Sequence, residues 1–297
     1  MRAFRHLLPA ALAVVLASAG TAVLAQTSGA PNTYEPVRGQ AGKDVIWIPT
    51  PEPLVEKMLT AARVTSDDRV FDLGAGDGII AITAAKRFGA TSVGIEYNPQ
   101  MAEFARSKVA EAGVADKVRI ITGDIFKEDF SSAKVVTLYL FPDLNMRLRP
   151  QLLAMKPGTR VVSHAFNMGD WEPDATVDYG AARAYLWTVP ARVEGDWRLR
   201  IEGVGETRLR LEQTFQQVGG VLSINDAHHP LVGAKLEGQD LRFKIITAGR
   251  EVQEFLQDDL GPEGLARSAV EDCEIRMRNL RDDRTRRTIH ALLLGEL

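Results

Sequence analysis

From residue 69 to 166 the chain alternates between two kinds of apolar pattern. Short continuous apolar runs occur at "RVFDL" (69–73), "TSVGIE" (91–96), "VRIIT" (118–122), "KVVTLYL" (134–140) and "TRVVSHAF" (159–166). Between them, "IIAITAAKRF" (79–88), "PQMAEFARSKVAEAG" (99–113) and "LNMRLRPQLLAMK" (144–156) repeat apolar residues at helical spacing, as does "PEPLVEKMLTAARV" (51–64) ahead of the first run. β-Branched residues in the runs suit strands buried on both faces, and the strand–helix alternation predicts a parallel sheet with helices on both sides. The expected fold class is α/β, a Rossmann-like sheet.

After about residue 180 the rhythm changes. "AYLWTVPA" (184–191), "DWRLRI" (196–201), "TRLRLEQTFQQ" (207–217), "GGVLSI" (219–224) and "DLRFKIIT" (240–247) read as strands separated by Gly, Asn and Pro turns. The alternation in "RLRLEQTF" predicts a half-exposed antiparallel strand. The strand near 184–189 fits either the α/β part or the β-rich part after it. From Pro262 the chain becomes rich in both charge signs and reads as a solvated helical tail. The expected organisation is residues 1–25 as a leader, 26–43 as a flexible Gly/Pro/Ser/Thr-rich lead-in and 44–191 as the α/β domain. Residues 192–260 form a small antiparallel all-β unit and 261–297 the tail.

The first 26 residues, "MRAFRHLLPAALAVVLASAGTAVLAQ", place Arg2 and Arg5 before an apolar stretch that ends in small residues. This predicts a secretory signal cleaved after Ala25 and an exported, periplasmic or envelope location. The alternative is an uncleaved anchor, Leu7–Ala25, which is 19 residues long. Either reading puts the remaining chain outside the cytoplasm. The net charge of −3 carries no basic excess, so nucleic acid is not an expected partner. Membrane contact is expected only through an uncleaved N-terminal segment. The single cysteine, Cys273, excludes an internal disulfide framework and a multi-cysteine metal site. His228 and His229 in "DAHHP" read as a polar turn, and no metal site is expected.

The chemistry concentrates at "DLGAGDG" (72–78), between the first run and the first helix. A strand, a glycine turn and a helix N-terminus bring backbone N–H groups to a ligand. Gly74, Gly76 and Gly78 give G-x-G-x-G, whereas the dinucleotide fingerprint needs Gly or Ala where Ile79 stands. No P-loop pattern is present. Asp72 would repel a pyrophosphate but suits a ligand with positive charge. S-adenosylmethionine, with a sulfonium, an ammonium and no phosphate, meets this description. Glu96 ends the second run and can accept from the ribose hydroxyls. Asp124, in "TGDIF", can accept from the adenine amino group, with Tyr97 and Ile125 flanking the ring. Any one of these acids alone is more often a surface carboxylate or a helix cap; the three together, at successive strand ends, mark a site.

These residues resemble class I S-adenosylmethionine-dependent methyltransferases over about residues 44–190. More narrowly, "VIWIPTPEPLVEKML", "VFDLGAGDG", "TLYLFPDLNMRLRP" and "MKPGTRVVSHAF" are similar to the lysine N-methyltransferases of the mitochondrial ATP synthase c-subunit type and their bacterial relatives. The resemblance implies Pro49, Thr50 and Pro51 beside the cofactor's methionine end, and protein-lysine methylation; the expected substrate is a lysine or other amine of a protein, or a small amine. The leader-like N-terminus and the β-rich C-terminal part depart from that family.

A free lysine titrates near 10.4, so an amine acceptor has to be presented neutral. Candidate catalytic residues are Tyr139, which could orient an amine, Asp143, which could accept from an ammonium, and His164, which could relay a proton. Their bland alternatives are a core aromatic, a helix N-cap and a buried hydrogen-bonded histidine; Thr50 could likewise merely cap the helix that starts at Pro51. Two rival functions stay open: a non-enzymatic envelope binding protein on this scaffold, and aminopropyl transfer from the decarboxylated cofactor. A nicotinamide-dependent oxidoreductase is disfavoured by Ile79 and Asp72.

Overall fold

The computed structural model describes residues 34–201, 205–246, 252–257, 273–274 and 276–277. The leader-like segment and most of the expected helical tail lie outside these residues. The first part runs α1 (Glu52–Ala61), β1 (Arg69–Leu73), α2 (Ile79–Phe88), β2 (Thr91–Glu96), α3 (Pro99–Glu111), β3 (Val118–Thr122), β4 (Val135–Leu138), α4 (Pro142–Leu153), β5 (Arg160–His164), β6 (Ala175–Tyr179) and β7 (Ala182–Thr188). Their strands form one seven-stranded sheet in the order β3-β2-β1-β4-β5-β7-β6. β1 to β5 are parallel, and the β6–β7 hairpin adds antiparallel to β5. The strand at 184–189 thus belongs to the α/β sheet.

Helices cover both faces. Leu54, Met58 and Leu59 of α1 and Ile80 and Ala84 of α2 pack with Val70, Val135 and Val162. Ala102, Ala105 and Val109 of α3 join α2 over Val118 and Ile120. On the opposite face Leu144, Leu148 and Leu152 of α4 meet Phe71, Leu73, Val136, Leu138 and Val161. Adjacent strand residues point to opposite faces, so continuous apolar runs are what a doubly covered sheet requires. The helix bounds follow local chemistry. Asn98 Oδ1 accepts from the N–H groups of Gln100 and Met101 and starts α3, with Pro99 in its first turn. α2 runs between Gly78 and Gly89, both at positive φ.

Chain order fixes where a ligand can sit. The chain moves outward from β1 to β2 and β3, then returns to place β4 on the other side of β1. Loops leaving the carboxyl ends of β1 and β4 therefore diverge and open a crevice between them. Asp68, 5% exposed, pins the far end of this sheet: its carboxylate takes the Arg160 guanidinium at 2.6 Å and the backbone N–H of Thr65.

The remaining strands form two smaller sheets. β8 (Gly195–Ile201), β9 (Gly205–Thr214), β10 (Gln217–Ile224) and β11 (Ala227–Pro230) pair in sequence as an antiparallel meander, and Cys273–Glu274 (β15) adds parallel to β8. β12 (Val232–Glu237), β13 (Asp240–Ile246) and β14 (Val252–Gln257) form another, edged by Arg276–Met277 (β16). Trp197, Leu209, Leu211 and Leu222 of the meander share a core with Leu236, Leu241 and Phe243. The four described residues of the tail are thus edge strands, not helix, because open sheet edges offer their backbone partners. His228 and His229, expected in a turn, lie on β11. The Asn225–Asp226 pair takes the turn instead, both at positive φ.

Candidate active site

The crevice at the carboxyl ends of β1 to β5 is a cleft of about 1230 Å3, open solvent at its mouth included. Its floor is the glycine loop. Gly74 and Ala75 both donate their N–H groups to the Ile95 carbonyl at 2.9 Å, folding the loop back onto β2. Gly94 makes that approach possible, since a Cβ there would meet the Ala75 Cβ at 2.7 Å. Gly76, at φ +55°, lies under Trp47, whose indole would stand 2.7 Å from an added Cβ. Gly78 is not in the cleft wall. At φ +80° it turns the chain into α2 and packs against Ala105 of α3.

The three acids expected from sequence all line this cleft, and Asp77 joins them. Asp72 is 2% exposed, and its carboxylate accepts from the Thr137 hydroxyl at 2.6 Å. Burial drives its pKa up to about 7 against the Thr137 hydrogen bond, and the like charges of Asp77 and Glu96 add to the rise. Glu96 accepts the Asn98 N–H on one oxygen and the Gly76 N–H on the other, each at 2.9 Å, so it also ties β2 to the glycine loop. Burial raises its pKa against those two bonds, and burial likewise raises Asp77, whose carboxylate caps the Ile79 N–H. Asp124 goes the other way: the Phe126 N–H and the Lys43 ammonium, 3.0 Å away, hold its carboxyl below the ordinary value. Tyr97 and Ile125 line the same end of the cleft.

Lys43 was not foreseen. It sits in the segment expected as a flexible lead-in, yet residues 39–47 form a hairpin. Gly39 donates to the Trp47 carbonyl, Trp47 to Gln40, and Gly42 to Val45. This hairpin covers the glycine loop through Trp47 and reaches Asp124 and the Tyr97 ring through Lys43, whose Nζ is 4.6 Å from the ring centroid. Glycine and polar composition spoke for a loop; the contacts that order it are long-range and leave no periodicity.

The catalytic candidates separate. Tyr139 lines the cleft just beyond β4, and burial raises its pKa while Arg38 acts in the opposite sense. His164 does not line the cleft. It lies behind Tyr139, ring centroids 3.9 Å apart, and its Nδ1 is 3.1 Å from the Thr50 hydroxyl. Burial lowers its pKa to about 4, so it is neutral at ordinary pH and a poor proton acceptor. Its contacts are the Thr50 hydroxyl and the Tyr139 ring. Thr50 lines the cleft and does not cap α1, whose N-cap is Pro51. Asp143 is exposed, outside the cleft wall and not an N-cap: Phe141 holds that place and Pro142 opens α4, which turns Asp143 to solvent. The neighbour that matters is Asn145, fully buried, whose Nδ2 donates to Ser163 Oγ and to the carbonyls of Phe166 and Asn167 at 3.2–3.3 Å. Among the described residues no group of three metal-ligating side chains occurs.

The family model for the ANTKMT methyltransferase domain matches residues 72–175, from Asp72 to the start of β6. A protein-lysine N-methyltransferase of Saccharolobus islandicus (strain REY15A) is 44% identical over 135 residues, 45% of this chain and 84% of that protein. The Homo sapiens ATP synthase c-subunit lysine N-methyltransferase is 29% identical over 135 residues, 45% of this chain and 57% of that protein. A crystal structure of an RNA methyltransferase from Salinibacter ruber with S-adenosyl-L-homocysteine shares 50% identity, covering 49% of this chain and 96% of that one, with a TM-score of 0.48. With the acid-lined crevice at the β1–β4 switch point, the domain match and the Saccharolobus identity make the chain a member of the S-adenosylmethionine-dependent methyltransferase family that includes the Saccharolobus protein-lysine N-methyltransferase.

Proposed function

We propose that this enzyme N-methylates lysine side chains of a protein. The observation that carries the reading is the division of the cleft across the sheet. Carboxylates gather on the β1, β2 and β3 side, and a hydroxyl and aromatic wall of Thr50, Tyr139, Phe141 and Phe166 stands toward β4 and β5. The residues fit the cofactor. Asp72 is a buried carboxylate that accepts one neutral hydrogen bond from Thr137 and feels the like charges of Asp77 and Glu96, a strain that an ammonium or sulfonium would relieve. Glu96 keeps lone pairs for two ribose hydroxyls, and Asp124, Tyr97 and Ile125 suit an adenine. When bound, S-adenosylmethionine supplies a methyl group already activated on a positive sulfur.

What remains for the chain is placement and proton handling. An amine nitrogen that is to accept a methyl group needs its lone pair free, so it must first lose its proton. The cleft residues drawn from β4 and β5 include no carboxylate, and His164 is neutral and set back. The Tyr139 and Thr50 hydroxyls can accept from the amine and hold its lone pair inward, and the proton leaves through the open mouth to solvent. Turnover on a lysine peptide should therefore rise with pH across the range below about 10, where the free amine fraction grows. A plateau near neutrality would mean an internal base.

The acceptor is tested with full-length protein, labelled cofactor and extract from cells lacking the gene. Methyl label on lysine in a protein band, located by mass spectrometry, is expected. Label confined to RNA or to small amines would replace this reading. We also infer export from the N-terminal pattern; the N-terminal mass of the protein from fractionated cells should begin at Gln26, and a cytoplasmic chain retaining Met1 would contradict it.

A further inference from the structure

Behind the acceptor side of the cleft lies an unusual piece of backbone. Ala165 has φ +66°, in the left-handed region that a residue with a Cβ rarely enters. Its neighbours close a three-residue turn: the Phe166 N–H donates to the His164 carbonyl at 2.8 Å, and Ala165 itself donates to the Arg183 carbonyl. A turn of this hand is rare and strained, and it persists only where surrounding contacts over-determine it. Here they do. The buried Asn145 side chain gathers Ser163 Oγ and the carbonyls of Phe166 and Asn167 onto one amide group. The result is that β5, instead of running on, turns and sets the Phe166 ring in the cleft wall. There it meets Phe141 edge-on at 5.9 Å and Tyr139 at 6.4 Å between centroids. Phe141 is 36% exposed, so the group faces the mouth rather than the core.

We propose that Tyr139, Phe141 and Phe166 form an aromatic subsite that receives the cationic end of an alkylammonium side chain, and that Asn145 is the positioning residue that holds it open through the Ala165 turn. The inference rests on the lysine reading above. Aromatic faces attract an ammonium or methylated ammonium through the ring quadrupole, whereas they hold a neutral alkyl chain by area alone. The cofactor acids come from β1, β2 and the segment after β3, whereas these rings come from the segments after β4 and β5, so this subsite recognises the acceptor and not the cofactor.

The test uses full-length protein and two probes, Nα-acetyl-Nε-trimethyl-lysine amide and its neutral isostere with carbon in place of the ε nitrogen, titrated by saturation-transfer NMR. Wild type should prefer the cation by about fivefold or more, the range of a partly desolvated cation–π contact. Phe166→Leu and Phe141→Leu should reduce the preference toward parity, and Phe166→Trp should retain it. Asn145→Ala should also lose it while its cofactor affinity, measured by calorimetry, stays at the wild-type value. Should that variant fail to fold, the Phe166 pair decides alone. Equal binding of the two probes to wild type, or an undiminished preference in Phe166→Leu, overturns the subsite. If lysine label is found but the probes bind equally, the wall is wrong and the lysine reading stands. If the cation is preferred but lysine is never labelled, the wall stands and the acceptor is another amine.

Discussion

At the scale of single residues the site is defined by where charge is left uncompensated. Asp72 combines near-complete burial with like-charged neighbours, and its pKa of about 7 lies far above the unfolded value. For an acid raised in this way, protonation favours the fold. The contribution is present below the unfolded pKa and is lost as pH climbs through about 7. Asp72→Asn should thus raise the melting temperature of the cofactor-free protein at alkaline pH, an advantage that shrinks on acidification. The same substitution should weaken S-adenosylmethionine binding by about tenfold or more, the worth of a charged hydrogen bond. Wild-type affinity should itself fall as pH drops through about 7, measured by calorimetry, because binding a cation then requires Asp72 to release a proton. A melting point lowered at alkaline pH, or a flat affinity profile, would mean that Asp72 is compensated in some other way. That Asp72, Glu96 and Asp124 meet in one cleft was legible because strand ends and a glycine turn mark the crevice of an open α/β sheet. Asp143 lies outside the cleft wall, and His164 takes the buried, hydrogen-bonded place that was its bland alternative. Proximity in sequence to a strand end does not say which way a side chain points, and Pro142 and the Ala165 turn settle that.

At the scale of elements the glycines carry a second demand besides ligand approach. Gly94, on β2, is what lets Ala75 of the loop lie against the sheet. Gly94→Val should push the loop outward, weakening cofactor binding while the far-ultraviolet circular dichroism of the sheet persists. Unchanged affinity would show that the loop tolerates the shift. The helices could be read from the chain because their burial is periodic, and the five parallel strands because their apolar runs are nearly continuous: α2 spans Ile79–Phe88 as its pattern predicts. β6, β11, β12 and β14 could not. Ala175–Tyr179 is exposed or half-buried throughout, and it is a strand only because β7 lies beside it. The 39–47 hairpin escaped for the same reason, its order coming from Trp47 over Gly76 and Lys43 at Asp124. Lys43→Ala should speed cofactor release in stopped-flow displacement if the hairpin closes the adenine end, and an unaltered rate would assign the contact to surface decoration alone.

At the scale of the whole molecule the β-rich part is built onto the enzyme, not strung after it. The Trp171 indole N–H donates to Gln216, whose amide donates back to the Glu172 carbonyl and to Asp174. The Phe215 ring stacks on Trp171 at 6.1 Å, and Ala191 donates its N–H to the Gly238 carbonyl. Gln216→Ala should lower the melting temperature, since it leaves the buried indole N–H without its partner at a cost of about 1–3 kcal/mol, and should leave cofactor affinity alone. A variant that binds cofactor poorly would instead couple this joint to the site. The central claim, that the acid-lined crevice between β1 and β4 is a working S-adenosylmethionine site, is tested most directly by titrating that cofactor into the full-length protein in a calorimeter at mildly alkaline pH. One saturable site is predicted, weakened in Asp72→Asn. No binding heat at millimolar cofactor from a protein that melts cooperatively would contradict it.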